Sequence, residues 1–164
     1  MIFRNAARTL PTFLAAFLIS ACMAVAAPSP TPVPSNLAGI WKVTSAKVNT
    51  VGIAAYLPDD PALLDLRLVV TGDSLAMDGH TCESPRITTE PVRFGDLITR
   101  TYEATPADMG VTSANLTQPT HFITCGKGDI GPSYERGSWI AEIESDTIAM
   151  NWFDSVLLFL QRTR

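Results

Sequence analysis

The chain has 164 residues, of which 46% are hydrophobic and 17% are charged, and its 16 acidic and 12 basic residues give a net charge of −4. This length predicts a single domain with one hydrophobic core. An acidic chain without a cluster of Lys or Arg has no long-range attraction for nucleic acid, so we expect no nucleic-acid partner.

The N-terminus has the pattern of a secretory signal peptide. A basic start at Arg4 and Arg8 precedes an apolar run that is too short to span a bilayer comfortably. Two cleavage sites compete: Ala24-Val25-Ala26 fits a small-x-small site, and Ile19-Ser20-Ala21-Cys22 resembles a bacterial lipobox that would leave a lipid on Cys22. We therefore expect a periplasmic or secreted protein, or alternatively one anchored to the outer membrane. The two alternatives give signal peptides of residues 1–26 or 1–21.

A proline-rich segment follows the leader. The alternating prolines of PSPTPVPS favour an extended polyproline II conformation, so residues 27–36 are predicted to form a tether. The globular domain is then expected over residues 37–164. No other apolar run is long enough to cross a membrane, so the only membrane attachment expected is a lipid on Cys22.

The exported part retains Cys82 and Cys125, each shortly after a histidine. An even pair of cysteines in an oxidising compartment predicts a disulfide. On strands, His80 shares a face with Cys82 and His121 shares one with Cys125, so the bridge would bring the two histidines together. Two imidazoles and Asp78 are conceivable metal ligands, but the thiolates would be used in the bridge. We expect a disulfide with two nearby histidines, and no cofactor.

From residue 39 onward, apolar and polar residues alternate and turn residues recur at close spacing. This pattern predicts eight or nine short strands. Thr71-Gly72-Asp73 predicts a hairpin turn, and PVRFGDLITRTY is interpreted as strand structure with a break at Gly95-Asp96. The only helical feature expected is one turn at residues 60–64. Strands this close together favour an all-β fold, a single antiparallel up-and-down barrel of about eight strands.

Gly39-Ile40-Trp41 opens the first predicted strand, and Arg162 lies in the last one. This pattern resembles the calycins: lipocalins, avidins, fatty-acid-binding proteins and bacterial metalloprotease inhibitors. The resemblance covers about residues 36–164 and implies a lipocalin-like barrel. It also implies that the basic residue packs over the Trp ring at the closed end, where a cation–π contact contributes about 1 kcal/mol.

The long segment after the first strand, NTVGIAAYLPDDPALL, carries Val51, Ile53, Tyr56 and Leu57. In a lipocalin-like barrel the corresponding loop folds over the open end, so these four residues are candidate ligand-binding residues. The alternative is that they plug the end of the barrel as ordinary core, because small barrels fill their interiors with side chains.

Other motifs speak against enzymatic chemistry. Residues 126–131 match G-x-G-x-x-G, but Pro132 and a strand-like stretch follow, so we interpret them as a loop and not as a dinucleotide site. No nucleophile motif is present. Glu142 and Glu144 are interpreted as solvated strand charges. The three tryptophans are expected to belong to the core.

Three functions remain open. The first is a non-enzymatic barrel in the cell envelope that binds a small apolar ligand, which predicts an unfilled interior under the loop. The second is an interaction protein, such as an inhibitor of a secreted hydrolase that acts through its surface or N-terminal tail; a filled barrel would favour it. The third is a metal-dependent enzyme that uses His80 and His121.

Overall fold

The computed structural model describes residues 32–51, 53–112, 114–133 and 137–163, and it consists almost entirely of β-structure. The leader, both cleavage sites, Cys22 and residues 27–31 of the proline-rich segment lie outside these residues. One α-helix, α1, covers Phe94–Tyr102. The strand segments are β1 Gly39–Lys47, β2 Arg67–Val70, β3 Ser74–Met77, β4 His80–Glu83, β5 Arg86–Arg93, β6 Thr117–Thr124, β7 Lys127–Gly128, β8 Ser138–Glu144, β9 Thr147–Trp152 and β10 Val156–Arg162.

These ten segments form one antiparallel sheet in the order β5-β6-β8-β9-β10-β1-β2-β3-β4-β7. Its two edges belong to the same bent hairpin, because β4 continues into β5, and β6 into β7, across two residues each. The register is continuous through the bend: Glu83 lies opposite Lys127, and Arg86 lies opposite Thr124. The sheet is therefore strongly curled, and the chain itself joins its two edges.

If each bent arm is counted once, the sheet has eight strands. Strands that follow each other in sequence pair with each other, and β10 pairs with β1. This arrangement confirms the predicted all-β, antiparallel, up-and-down barrel-like fold. The Thr71-Gly72-Asp73 turn between β2 and β3 is also present, as is the single turn that begins at Asp60, where the Leu64 N–H donates to the Asp60 carbonyl.

The predicted disulfide is confirmed. Cys82 in β4 is bonded to Cys125, which directly follows β6, and their Cα atoms lie 5.1 Å apart. Cys82 is completely buried. Cys125 lies within one of the two-residue steps where the long hairpin bends, and Cys82 lies just before the other. The bridge therefore holds the bend by which the chain connects the two edges of the sheet.

The inward face of the sheet forms the main core. Side chains on a strand alternate between faces, so every second residue points into the interior. Trp41 and Val43 of β1 both face this interior and are 1% exposed. Other strands contribute Leu68, Val70, Leu75, Met77, Ile140, Ile148, Met150, Trp152, Leu158 and Leu160.

The interpretation of PVRFGDLITRTY as strand structure is wrong in its second half, because residues from Phe94 to Tyr102 are helical. The buried residues Phe94, Leu97, Ile98 and Tyr102 recur at the three- and four-residue spacing of one helix face. The helix ends at Glu103, which adopts the left-handed conformation with φ of 51°. In this segment the spacing of the apolar residues favours a helix, whereas the residue types Thr, Ile and Tyr favour a strand.

Helix α1 packs on the outer face of the sheet and creates a second core there. Trp139 of β8 lies under it, with the ring of Phe94 perpendicular at a centroid distance of 6.5 Å. The Trp139 indole N–H donates to the Thr101 hydroxyl at 3.1 Å, which satisfies a polar group that would otherwise be costly to bury. The tryptophans thus belong to two cores on opposite faces of the sheet.

Candidate functional site

The two ends of the curled sheet are covered differently. The closed end carries the segment of residues 33–38, just before β1. The opposite end, which we call the mouth, carries the loop of residues 48–66 (the mouth loop) together with the turns at residues 78–79 and 153–155. Because neighbouring strands are antiparallel, these loops and turns meet where β1 ends and β10 begins.

At the closed end, the Arg162 guanidinium lies 4.0 Å above the centre of the Trp41 ring. Arg162 also donates to the Ala38 carbonyl at 2.7 Å, and the Trp41 indole N–H donates to the Leu37 carbonyl at 2.8 Å. Gly39 has a φ of 135°, and a Cβ there would lie 2.8 Å from the Arg162 Nη1. The three residues of the G-x-W and Arg pattern therefore form one contact set that covers this end.

The packed region begins before residue 37. Val33, inside the proline-rich segment, is 7% exposed, and its N–H donates to the Gly72 carbonyl. Asn36 contacts Glu142 of β8, at 2.7 Å from Nδ2 to Oε1. The last residues of this segment thus lie against the closed end, and a tether would have to lie before Val33.

The mouth loop is fastened to β1 by Asp59. Its carboxylate accepts hydrogen bonds from the Ser45 hydroxyl at 2.7 Å and the Ala46 N–H at 2.9 Å, and it forms an ion pair with Lys47 at 3.4 Å. The Ser45 hydrogen bond is the largest cause of a lowered pKa for Asp59. Burial raises this pKa by less than the Ser45 hydrogen bond lowers it, and the Ala46 N–H and Lys47 lower it further. The loop is therefore held in place at neutral pH.

The four apolar candidates of this loop do not behave alike. Tyr56 is partly buried and packs against the interior core. Val51, Ile53 and Leu57 are 78%, 108% and 72% exposed. The interpretation that all four plug the barrel is therefore wrong for these three. Their side chains face solvent on a loop whose base is anchored.

Next to Ile53 lies a cleft of about 400 Å³. Its apolar side is formed by Ile53, Ala54 and Ala55, and its polar side by Asn49, Asp154 and Ser155. Asp154 and Ser155 have φ values of 56° and 59°, in the left-handed region. Such a conformation costs about 1–3 kcal/mol for a non-glycine residue and occurs preferentially at functional sites. The turn between β9 and β10 thus presents a carboxylate to the cleft at some conformational cost.

His80 lies beside the same turn. Its Nδ1 is 2.5 Å from the Asp129 carboxylate, and its ring stacks on Phe153 at a centroid distance of 4.3 Å. Trp152 meets the ring edge-on at 5.4 Å. These contacts connect β4, the segment after β7 and the 153–155 turn, so His80 helps to hold the mouth together.

His121 has a different set of partners. It is 2% exposed, with Nδ1 at 2.8 Å from the Thr89 hydroxyl and Nε2 at 2.6 Å from the Glu142 carboxylate. Glu142 also receives the hydrogen bond from Asn36. Its interpretation as a solvated edge charge is wrong, since it faces the interior and pairs with a buried ring. This network links three strands to the segment before β1.

Each histidine therefore has its own carboxylate, Asp129 for His80 and Glu142 for His121. Within residues 32–51, 53–112, 114–133 and 137–163, no group of three or more His, Cys, Asp or Glu side chains is arranged to hold a metal ion. Asp78, the third ligand considered from the sequence, occupies the β3–β4 turn with φ of 50°.

The glycines of the G-x-G-x-x-G stretch have a packing role. A Cβ on Gly128 would lie 1.9 Å from the Thr81 carbonyl, and a Cβ on Gly131 would lie 2.7 Å from the Asn151 carbonyl. Both have positive φ values. The next described element is the strand β8 and not a helix. Close contact between backbone segments accounts for these glycines.

Sequence reasoning missed several residues of these networks. Thr89 and Asn36 belong to no sequence motif, and Thr89 lies 32 residues from the histidine that it contacts. For Asp154 a signal existed, because Asp next to Ser in a tight turn often adopts the left-handed conformation and exposes its carboxylate.

Comparisons with protein-family models, with curated proteins and with solved structures found no match to this chain. In the part of the chain that the structure describes, no helix has the length and apolar character needed to cross a bilayer.

Proposed function

We propose that this protein is an exported, non-enzymatic interaction module, calycin-like in architecture, that binds a protein partner through its mouth. The observation that carries this proposal is a contrast within the molecule. The interior of the sheet is filled by its own side chains, whereas the mouth loop exposes three large aliphatic side chains.

The filled interior weighs against a small apolar ligand held inside the sheet. Small barrels contain either side chains or one small ligand. Here the interior includes Trp41, Met150 and Trp152, each at most 3% exposed. A ligand would have to displace such groups from a close-packed core, and cores resist this because their packing leaves little free volume.

The mouth has the features of a recognition surface. Val51, Ile53 and Leu57 are exposed within seven residues of one loop, while Asp59 and Tyr56 fasten the same loop to the body of the protein. Exposed aliphatic side chains that are close together commonly mark protein contacts, and an anchored loop loses little conformational entropy on binding.

The calycin-like part of the proposal is supported by the closed end. The contact of Gly39, Trp41 and Arg162 agrees with the pattern of that group, and the up-and-down strand order is the same kind of architecture. Export remains a prediction from the leader. Intact-mass analysis of protein from the cell envelope would distinguish a chain that begins at Ala27 from one with a lipid on Cys22.

A second candidate function is the binding of a small ligand in the mouth cleft. Its volume of about 400 Å³ falls within the range of roughly 300–1,000 Å³ that is usual for ligand pockets, and it combines apolar and polar sides. Native mass spectrometry of protein purified from its source would detect such a ligand as an additional mass that is lost on denaturation.

The main proposal is tested by photo-crosslinking in the native cell envelope. A benzophenone amino acid replaces Ile53 or, in the control, Leu116, which is 54% exposed on another loop. We expect a discrete protein adduct from position 53 and none from position 116. The same adducts from both positions, or no adduct from position 53, would show that the mouth loop is not the contact surface.

A further inference from the structure

We propose that the partner presents a basic surface, because aspartates are concentrated in the loops and turns of the mouth, which also exposes aliphatic side chains. This inference rests on the proposed function and specifies the chemistry of the partner. Seven aspartates lie in the loops and turns that form this end or touch it: Asp65, which pairs with Lys42 of β1, and Asp59, Asp60, Asp78, Asp108, Asp129 and Asp154.

Their placement follows from the contacts of the mouth. Asp154 lines the cleft beside Ile53. Asp129 contacts His80, whose ring lies on Phe153 in the adjacent turn. Asp108, in the segment after α1, reaches the mouth loop through its carbonyl, which accepts a hydrogen bond from the Thr50 hydroxyl at 3.3 Å. Asp78 occupies the turn between β3 and β4, directly before His80.

Few positive charges balance these carboxylates. Among the described residues of the mouth, Lys47 is the only Lys or Arg, and it pairs with Asp59. His80 pairs with Asp129. The other described basic residues lie on the strands and on α1: Lys42, Arg67, Arg86, Arg93, Arg100, Lys127 and Arg162. Three of them have acidic partners, Lys42 with Asp65 of the mouth loop, Lys127 with Glu83 and Arg162 with Asp146. The excess of negative charge is therefore concentrated at the mouth.

Two of these aspartates, Asp59 and Asp108, have a pKa below the usual range of the carboxyl group. Hydrogen bonds from the Thr105 side chain and N–H lower the pKa of Asp108, and those from Ser45 and Ala46 lower the pKa of Asp59. An apolar centre with a charged rim is the usual anatomy of a protein interface. A rim of one sign attracts partners of the opposite sign and raises their association rate at low salt.

The experiment uses the full exported chain and short fluorescein-labelled peptides of alternating Leu and Lys, with alternating Leu and Glu as the charge control. Binding is followed by fluorescence anisotropy at ~50 and ~300 mM salt, between which screening increases strongly. We expect the Leu/Lys peptide to bind, to weaken about tenfold at the higher salt, and to bind more tightly than the Leu/Glu peptide.

Charge-removing variants then locate the site. Asp78→Asn with Asp154→Asn keeps side chains that tolerate positive φ, so both turns are retained. We expect this double variant to bind the Leu/Lys peptide about fivefold less tightly or worse. The matched control is Glu90→Gln, which removes an exposed carboxylate from β5, away from the mouth, and should leave binding unchanged. Ile53→Ser tests the apolar centre separately.

The outcomes separate the two proposals. Equal binding of both peptides, with loss in Ile53→Ser, would overturn the basic partner and leave the mouth as the contact surface. Loss of Leu/Lys binding in the aspartate variant but not in Ile53→Ser would support the charge inference and count against the exposed aliphatic side chains as the contact on which the proposed function rests. No Leu/Lys binding up to about 1 mM peptide, or equal weakening by Glu90→Gln, would overturn the inference.

Discussion

Removing the disulfide should destabilise the domain strongly, by a magnitude that follows from the length of chain it closes. The bridge joins positions 43 residues apart. In the chain-entropy model, closing such a loop stabilises the folded state by about 4 kcal/mol relative to the open chain. For a domain of this size, that corresponds to a decrease in Tm of roughly 15 °C.

The assay is thermal unfolding, followed by circular dichroism, of wild type and of Cys82→Ala, Cys125→Ala and the double variant. Each substitution opens the same loop, so the chain-entropy account predicts nearly the same decrease for all three. If lost side-chain packing were the cause, the two single variants would show different decreases in Tm, because Cys82 is fully buried and Cys125 is only partly so. The two decreases would then add in the double variant. A decrease below about 5 °C, or two additive decreases, would refute the loop-closure explanation. Reaction of both cysteines with a thiol reagent in unreduced protein would refute the bridge itself.

Three further predictions concern single side chains. Glu142→Gln should lower the free energy of unfolding in urea by about 1–3 kcal/mol, because the buried histidine His121 loses its charged partner. The control Glu144→Gln, on the exposed end of the same strand, should change this free energy by less than about 0.5 kcal/mol. Equal effects of the two substitutions would contradict a specific role for the His121 network. Gly39→Ala should lower Tm clearly, since its Cβ would lie 2.8 Å from the stacked guanidinium and φ is 135°, and Gly72→Ala, with no atom within 4 Å of its Cβ, should not. Asp59 has a folded pKa below the ordinary value of 3.8 for an aspartate, so its contribution to stability is present above pH 3.8 and is lost as pH falls through the folded pKa. Proteolysis of the mouth loop by an acid-active protease should accelerate there in wild type, and an equally steep acid response in Asp59→Asn would contradict this assignment.

The sequence alone was sufficient for the all-β class, for the disulfide, and for the grouping of Gly39, Trp41 and Arg162. Strand alternation and turn residues are local signals that depend on neighbouring positions only. The cysteine pairing follows from the compartment and from the even count. The first two inferences need no knowledge of how distant segments meet, whereas the grouping of Gly39, Trp41 and Arg162 came from the resemblance to calycins.

Helix α1 shows where local reasoning failed. Its nine residues are few for a periodicity test, and they contain Thr, Ile and Tyr, which favour strands. The helical spacing of Phe94, Leu97, Ile98 and Tyr102 is visible in the sequence. It favours a helix only because an outer face of the sheet is available to bury these four side chains. Packing against Trp139 therefore decided an element that local propensity left ambiguous.

The candidate site was decided by tertiary structure. By hydrophobicity Val51, Ile53 and Leu57 should be buried before Tyr56, yet only Tyr56 reaches the interior core, because the anchored base of the loop determines which side chain points inward. The contacts of the two histidines depend on strand register, which aligns residues far apart in sequence. Register and the bend of the hairpin arise from the cooperative packing of the whole sheet, so no local pattern of residues encodes them.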